Sequence, residues 1–325
     1  MLQEIDFDFA AIDKLSLSKI PFVFFIDFLK GKMILLTESE LKNSNIKIEF
    51  PNIQNANNEI FNNEKFNLSF NAESLEFYRK GFDLVQENLK KGNSYLVNYT
   101  RKTPIEINYT LDEIFAHSKA KYKACIPNKF VFFSPETFIE IKDNQIVTHP
   151  MKGTIDADIP NAKELLKANI KEKAEHYTVV DLLRNDLSMV ANDVKVDEFQ
   201  RIDYIQTQQK NLFAMSSEIS GTLKPKFQNK IGSILNLLLP AGSILGAPKK
   251  KTLEIILQAE NYDRGFYSGV SGFFDGENLD SCVMIRFIEK EGDKFVFKSG
   301  GGITHQSQLL DEYEEMKNKI YAPIY

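Results

Sequence analysis

Between Ser74 and Lys91 the apolar residues Leu75, Phe77, Tyr78, Phe82, Val85 and Leu89 recur at helical spacing, with Ser74 placed to cap the first turn and Gly92 just past the last. That pattern predicts an amphipathic helix with one buried face. Further helices are predicted over Asp6–Ser16, Leu111–Lys119, Asn161–Val190 and Thr252–Ala259, with another near the C-terminus. The β-branched run Thr178-Val179-Val180 and the sequence Arg184-Asn185-Asp186 predict a break towards the end of the longest of these. Shorter apolar runs predict strands at Pro21–Lys30, Lys32–Thr37, Tyr95–Thr103, Lys129–Phe133, Val283–Phe287 and Lys294–Ser299, and Thr137–Ile141 with Gln145–His149 reads as a hairpin. From Asn43 to Asn67 asparagine is so frequent that a loop is expected, because its side chain bonds locally to the backbone in place of packing.

At 325 residues the chain is long enough for one large α/β or α+β domain, which at that size buries about 75% of its unfolded surface. Twenty-six Phe and 12 Tyr supply the core. The most apolar short run, Ile20–Leu29, carries Asp27 and is too short to span a bilayer, and the first twenty residues lack a basic leader, so a cytoplasmic protein without a membrane anchor is expected. A net charge of -5 argues against a nucleic-acid partner. Two cysteines, Cys125 and Cys282, without CxxC spacing, argue against a disulfide framework or a zinc site.

Candidate chemistry concentrates in His149-Pro150-Met151-Lys152-Gly153-Thr154. Pro150 fixes its own φ and biases His149 towards an extended conformation, and Gly153 permits a sharp turn, so Lys152 is expected in a tight turn directly after the strand Gln145–His149. A lysine that attacks as a nucleophile must be neutral. At its ordinary pKa of about 10.4 only about one in a thousand is neutral near pH 7.4, a deficit of roughly 4 kcal/mol that burial or a neighbouring cation has to make up. An ordinary surface lysine in a turn is the alternative that this motif alone leaves open.

Glu172 and Glu175 stand three residues apart and share a helix face, and Glu312 and Glu315 repeat the spacing. Paired carboxylates suit a hard cation: Mg²⁺ takes one or two of them, keeps waters, and spends its remaining positions on a ligand anion. A solvated charged helix carries the same spacing. Two glycine-rich stretches, Leu239–Lys249 and Gly300-Gly301-Gly302, offer backbone N–H groups to an anion, although neither is a P-loop. Arg286, predicted inside the apolar strand Val283–Phe287, needs an anionic partner, and a carboxylate matches it best.

Six motifs follow one another in a telling order: Ser134-Pro135-Glu136, Pro150–Thr154, Ala174-Glu175-His176 leading to Val180–Asp186, Gly242–Lys249, Asp280–Arg286, and Gly300–Ile303 running on to Glu315. In them the sequence, from about Ser74 to its C-terminus, resembles the chorismate-utilising enzymes, the family of anthranilate, aminodeoxychorismate, isochorismate and salicylate synthases. The resemblance implies a single intertwined α/β (α+β) domain in which two antiparallel β-sheets pack as a sandwich with helices outside. Residues 1–70 would be a short N-terminal part of that fold, with the Asn-rich loop at 43–67, and residues 71–325 the chorismate-binding catalytic part. It further implies Mg²⁺ as cofactor and the dianion chorismate as substrate.

Within the family the chain is similar to component I of aminodeoxychorismate synthase, which carries lysine where Lys152 stands and where the other members usually carry alanine. The water-activating lysine of the isochorismate and salicylate enzymes falls near Leu96, which cannot act as a base. The resemblance then implies that Glu136 protonates the departing C4 hydroxyl while Lys152 attacks C2, and that ammonia next attacks C4 and expels the lysine, giving 4-amino-4-deoxychorismate for p-aminobenzoate and folate synthesis. Arg286, the amides near Gly301 and Gly302, and Tyr267 are expected on the enolpyruvyl carboxylate. Mg²⁺ on Glu175 and Glu315, backed by Glu172 and Glu312, is expected on the ring carboxylate, with Lys319 at that end and Gly153 and Thr154 beside the nucleophile.

A histidine of the anthranilate synthases aligns near Ala214, so any role it has is lost or transferred here. Neither cysteine lies in a strand-to-helix elbow, so ammonia is expected from a separate glutamine amidotransferase subunit. The competing readings are an anthranilate synthase component I, which aminates C2 and releases pyruvate, and a catalytically silent chorismate-binding subunit.

Overall fold

Every residue of the strand Phe22–Ile26 is buried, which requires cover on both faces of its sheet. Phe25 projects onto Phe130 and Phe132 of a second sheet, with ring centroids 6.4 and 6.5 Å apart. Phe24, one residue back, enters a core shared with Ile12 of the helix Phe9–Leu17. Alternation along one strand thus builds a sheet-on-sheet layer and a helix-on-sheet layer, each buried phenylalanine contributing on the order of 2 kcal/mol.

The computed structural model describes residues 4–56, 64–205 and 211–324. Among them are two antiparallel sheets. A ten-stranded sheet runs Ile5–Asp6, Lys32–Thr37, Phe22–Ile26, Val270–Phe274, Leu279–Val283, Thr137–Lys142, Gln145–Thr148, Leu212–Leu223, Met151–Asp156, with Ala191–Ile205 also paired to Leu212–Leu223. A nine-stranded sheet runs Gly246–Ala247, Leu96–Ile107, Lys294–Ile303, Phe287–Glu291, Phe130–Ser134, Tyr122–Ile126, Lys47–Phe50, Ile53–Gln54, with Leu68–Phe70 also on Leu96–Ile107. Phe24 lies opposite Gly272 in register, so the N-terminal strands sit inside a sheet that the last third of the chain completes. This is the mixed α/β sandwich that the motifs implied.

The helix Leu75–Lys90 forms as predicted, with Ser74 Oγ accepting the Phe77 N–H at 3.2 Å. Several expectations are corrected. The Asn-rich stretch holds the strands Lys47–Phe50 and Ile53–Gln54: Ile48 and Phe50 are buried at alternate positions, and the Asn55 side chain accepts from Ile48 N and donates to Ile46 O at 2.9 and 2.8 Å, extending the ladder where a loop was expected. Residues 57–63 of that stretch lie outside the described residues. Ile170–Val190 is one unbroken helix; the interruption comes earlier, at Asn169, which ends the helix Ala162–Ala168 and caps the next by accepting Glu172 N–H at 3.1 Å. Val179 and Val180 are buried there, and packing outweighs the small β-branched penalty. Among the described residues no helix is long and apolar enough to cross a membrane.

Candidate active site

The hairpin Thr137–Lys142 and Gln145–Thr148 delivers the chain to Pro150, but the tight turn expected at Lys152 does not form. Met151–Asp156 is itself a strand, antiparallel to Leu212–Leu223, and its ladder is irregular between Met151 and Thr154. The irregularity falls on Lys152 and Gly153, both partly buried. Gly153 has φ +81°, and a Cβ there would lie 2.9 Å from Glu172 Oε2, so glycine meets both the bulge conformation and the close approach of a carboxylate. Thr154 is exposed and sits opposite Ala214, so the family histidine position abuts the lysine strand.

Glu136 hangs from the crossover between the sheets: Phe130–Ser134 belongs to one, Thr137–Lys142 to the other. Its N–H donates to Ser134 Oγ at 3.1 Å and its C=O accepts Val283 N–H at 3.1 Å, while its Oε1 accepts the Ser243 hydroxyl. Burial raises the Glu136 carboxyl above the usual range, and Lys152, the Ser243 hydroxyl and Lys319 pull it part of the way back. Lys152 is thus near enough to the buried carboxyl to act on its charge.

The four glutamates come from two helices onto two strands: Glu175, Glu312 and Glu315 reach the glycine strand Lys294–Ile303, whereas Glu172 meets Gly153 on Met151–Asp156. Glu172 and Glu175 lie on Ile170–Val190, Glu312 and Glu315 on Leu309–Asn318. A Cβ at Gly301 would lie 2.8 Å from Glu315 Oε1 and 3.5 Å from Glu312 Oε2, and one at Gly302 would lie 3.4 Å from Glu175 Oε2. Glu175 and Glu312 are buried. Among the described residues no group of three or more His, Cys, Asp or Glu side chains is placed to hold a metal ion. A glycine cradle with one or two carboxylates at each side nonetheless fits Mg²⁺, which keeps waters and shares its sphere with a substrate anion.

Arg286 is not in a strand. Leu279–Val283 ends before it, its φ is +53°, and its guanidinium lies 4.6 Å from the Tyr321 ring centroid. Its C=O accepts Phe133 N–H at 3.2 Å, which fixes it beside the strand that leads to Glu136. Tyr267 is packed in the inter-sheet core against Phe287, its phenol pushed up to about 12 by burial; none of its described contacts is with Lys152, Glu136 or the four glutamates. Two groups escaped the sequence reading. Ser243, inside the motif Gly242–Lys249, donates its hydroxyl to Glu136 Oε1. His176 is fully buried with Nε2 2.7 Å from Ser217 Oγ, and burial, aided by Lys152, lowers its imidazole to about 4, so it is neutral near pH 7. Its place after Glu175 was the available signal; nothing in the sequence pointed to Ser217.

The chain is 49% identical over 306 residues to a protein of Haemophilus influenzae described as an uncharacterized PabA-like protein, covering 94% of this chain and 92% of that one. A Pasteurella multocida protein of the same description is 47% identical over 310 residues, covering 94% of each. A Bacillus anthracis structure described as a 2,3-dihydroxybenzoate-specific isochorismate synthase shares the fold, with a TM-score of 0.71 at 21% identity over 96% of this chain and 85% of that one. A family model described as chorismate binding enzyme matches residues 19–325, and the chain belongs to that family.

Proposed function

We propose that the chain is the chorismate-aminating component of an aminodeoxychorismate synthase, converting chorismate and ammonia to 4-amino-4-deoxychorismate through a covalent adduct on Lys152. The observation that carries this reading is that Lys152, a nucleophile type, acts electrostatically on the Glu136 carboxyl, an acid whose pKa burial raises. Lys152 Nζ bonds to C2, both ring double bonds shift along the ring, and the C4–O bond breaks as Glu136 gives its proton to the leaving hydroxyl, which departs as water. Ammonia then bonds to C4, both double bonds shift back, and the C2–N bond to Lys152 breaks, the surplus proton returning to Glu136.

Arg286 and the amides near Gly301 and Gly302 hold the enolpyruvyl carboxylate, and Thr154 lines the nucleophile's side. Glu175 and Glu315, backed by Glu172 and Glu312, would hold Mg²⁺, which when bound neutralises and fixes the ring carboxylate. Lys319 completes that end. Ammonia comes from a glutamine amidotransferase partner.

The test is product identification by mass spectrometry after incubation with chorismate, Mg²⁺ and ammonium. 4-Amino-4-deoxychorismate is expected, and intact-protein mass should show an adduct that Lys152→Ala removes. Anthranilate and pyruvate as products would replace this reading with the C2-aminating one, and no consumption of chorismate would leave a binding subunit.

A further inference from the structure

The stretch Gly242–Lys249 is glycine-rich, yet it forms a mount, not an open anion loop. Gly242–Ile244 is a single 3₁₀ turn, closed by Leu245 N–H on Gly242 O at 3.2 Å, and Gly246–Ala247 then pairs with Leu96–Val97. Three constraints clamp the turn. A Cβ on Gly242 would lie 2.9 Å from Leu182 Cδ2 and 3.1 Å from Asp186 Oδ2, so the helix Ile170–Val190 presses directly on it. Arg264, almost wholly buried and held by Glu260 at 2.8 and 2.6 Å, donates to Ile244 O at 3.2 Å. Beyond the turn, Lys249 Nζ meets Asp186 Oδ2 at 2.6 Å. The polar side chain carried by the clamped turn is Ser243, buried, with its hydroxyl on Glu136 Oε1.

We propose that Ser243 is a positioning residue for Glu136: its hydroxyl, delivered by the clamped turn 242–244, holds the carboxyl in the orientation from which it reaches the substrate. This rests on Glu136 being the acid of the proposed reaction. The groups facing Glu136 are Lys152 from the lysine strand, Lys319 from beyond the C-terminal helix, Cys282 from the neighbouring strand and Ser243 from the turn. Of these, Ser243 alone is hydrogen-bonded to the carboxyl among the described contacts, and a donor to a carboxylate favours the ionised form. Taking it away should make the carboxyl hold its proton to higher pH. A general acid works protonated, so the alkaline limb of the rate profile should move upward.

The experiment follows chorismate consumption with ammonium and Mg²⁺ as a function of pH for wild type, Ser243→Ala, Ser243→Thr and Glu136→Gln. In Ser243→Ala, kcat should fall by roughly tenfold or more with a smaller change in KM, and the alkaline limb of kcat/KM should rise by at least about half a unit. Ser243→Thr, which keeps the hydroxyl, should restore both. If the alanine variant does not fold, Ser243→Cys, similar in size with a weak S–H donor, supplies the same readout. An unmoved limb in a folded variant, with Glu136→Gln inactive, overturns the role of Ser243 and leaves that of Glu136. Undiminished consumption by Glu136→Gln overturns the acid assignment itself and the Ser243 proposal with it.

Discussion

Lys319 Nζ lies 2.7 Å from Glu315 Oε1 and also donates to Gly300 O at 2.8 Å, so one ammonium ties a carboxylate of the cradle to the glycine strand it faces. Removing Glu315 leaves that second bond in place. Glu315→Ala should therefore lose Mg²⁺-dependent turnover by two orders of magnitude or more, roughly, while its melting curve stays close to wild type, because a single remaining carboxylate retains Mg²⁺ poorly against water. Excess chelator should silence the wild-type protein equally. Turnover that survives either treatment would remove the metal from the proposal.

The glycine triplet allows a sharper separation of site from fold. A Cβ at Gly301 meets the flexible end of Glu315, whereas one at Gly300 would lie 2.2 Å from the backbone oxygen of Tyr99. Gly301→Ala should keep its stability within about 1 kcal/mol and lose most of its activity. Gly300→Ala should be the unstable one, by several kcal/mol on the order expected for overpacking, since no side-chain rotation relieves the clash. Denaturant titration of both proteins checks this, and equal stabilities would refute it.

Asp186 and Lys249 form a buried pair in which burial raises the carboxyl and lowers the ammonium, so each charge is tolerated through the other. Asp186→Asn or Lys249→Met alone should cost about 3 kcal/mol, by leaving a buried charge without its partner, and the double variant should cost clearly less than the sum. Additive losses in the double-mutant cycle would mean that the pair contributes no coupling.

Much of the architecture was legible because its signals are local and strong. The helix at Leu75–Lys90 shows its buried face and its cap in sequence, and the strand Gln145–Thr148 alternates cleanly. The misreadings share a physical cause, which is that long-range packing overrides local preference. Asparagine near Lys47–Phe50 looked like loop until Asn55 proved to bond along a ladder edge, and Val179-Val180 looked like a helix end until burial held them in register. The partly polar strands Ala191–Ile205 and Leu212–Leu223 pair chiefly with each other and left little apolar signature. For the candidate site, residue types and spacing singled out Lys152 and the glutamate pairs, and the family resemblance added Glu136. Ser243 and Ser217 were invisible because a serine acquires meaning only from what stands opposite it in space.

The nitrogen source can be tested on the chain alone. Cys125 and Cys282 are both fully buried, and burial pushes both thiols well above their ordinary range, the opposite of what a glutaminase nucleophile needs. Ammonium salts should support turnover and glutamine should not, until an amidotransferase subunit is added. Release of glutamate by the isolated chain, abolished by Cys125→Ser or Cys282→Ser, would show a glutaminase within it.

Glu136 is suspended where the chain steps from one sheet into the other, while the glycines that cradle the carboxylates belong to the nine-stranded sheet and Lys152 to the ten-stranded one. A small slide of one sheet over its neighbour would break no ladder bond in either, yet it would displace the amine from the cradle. Chemistry in this protein therefore acts as a vernier on the alignment of two layers. Under mild denaturant it should fade while every strand is still paired.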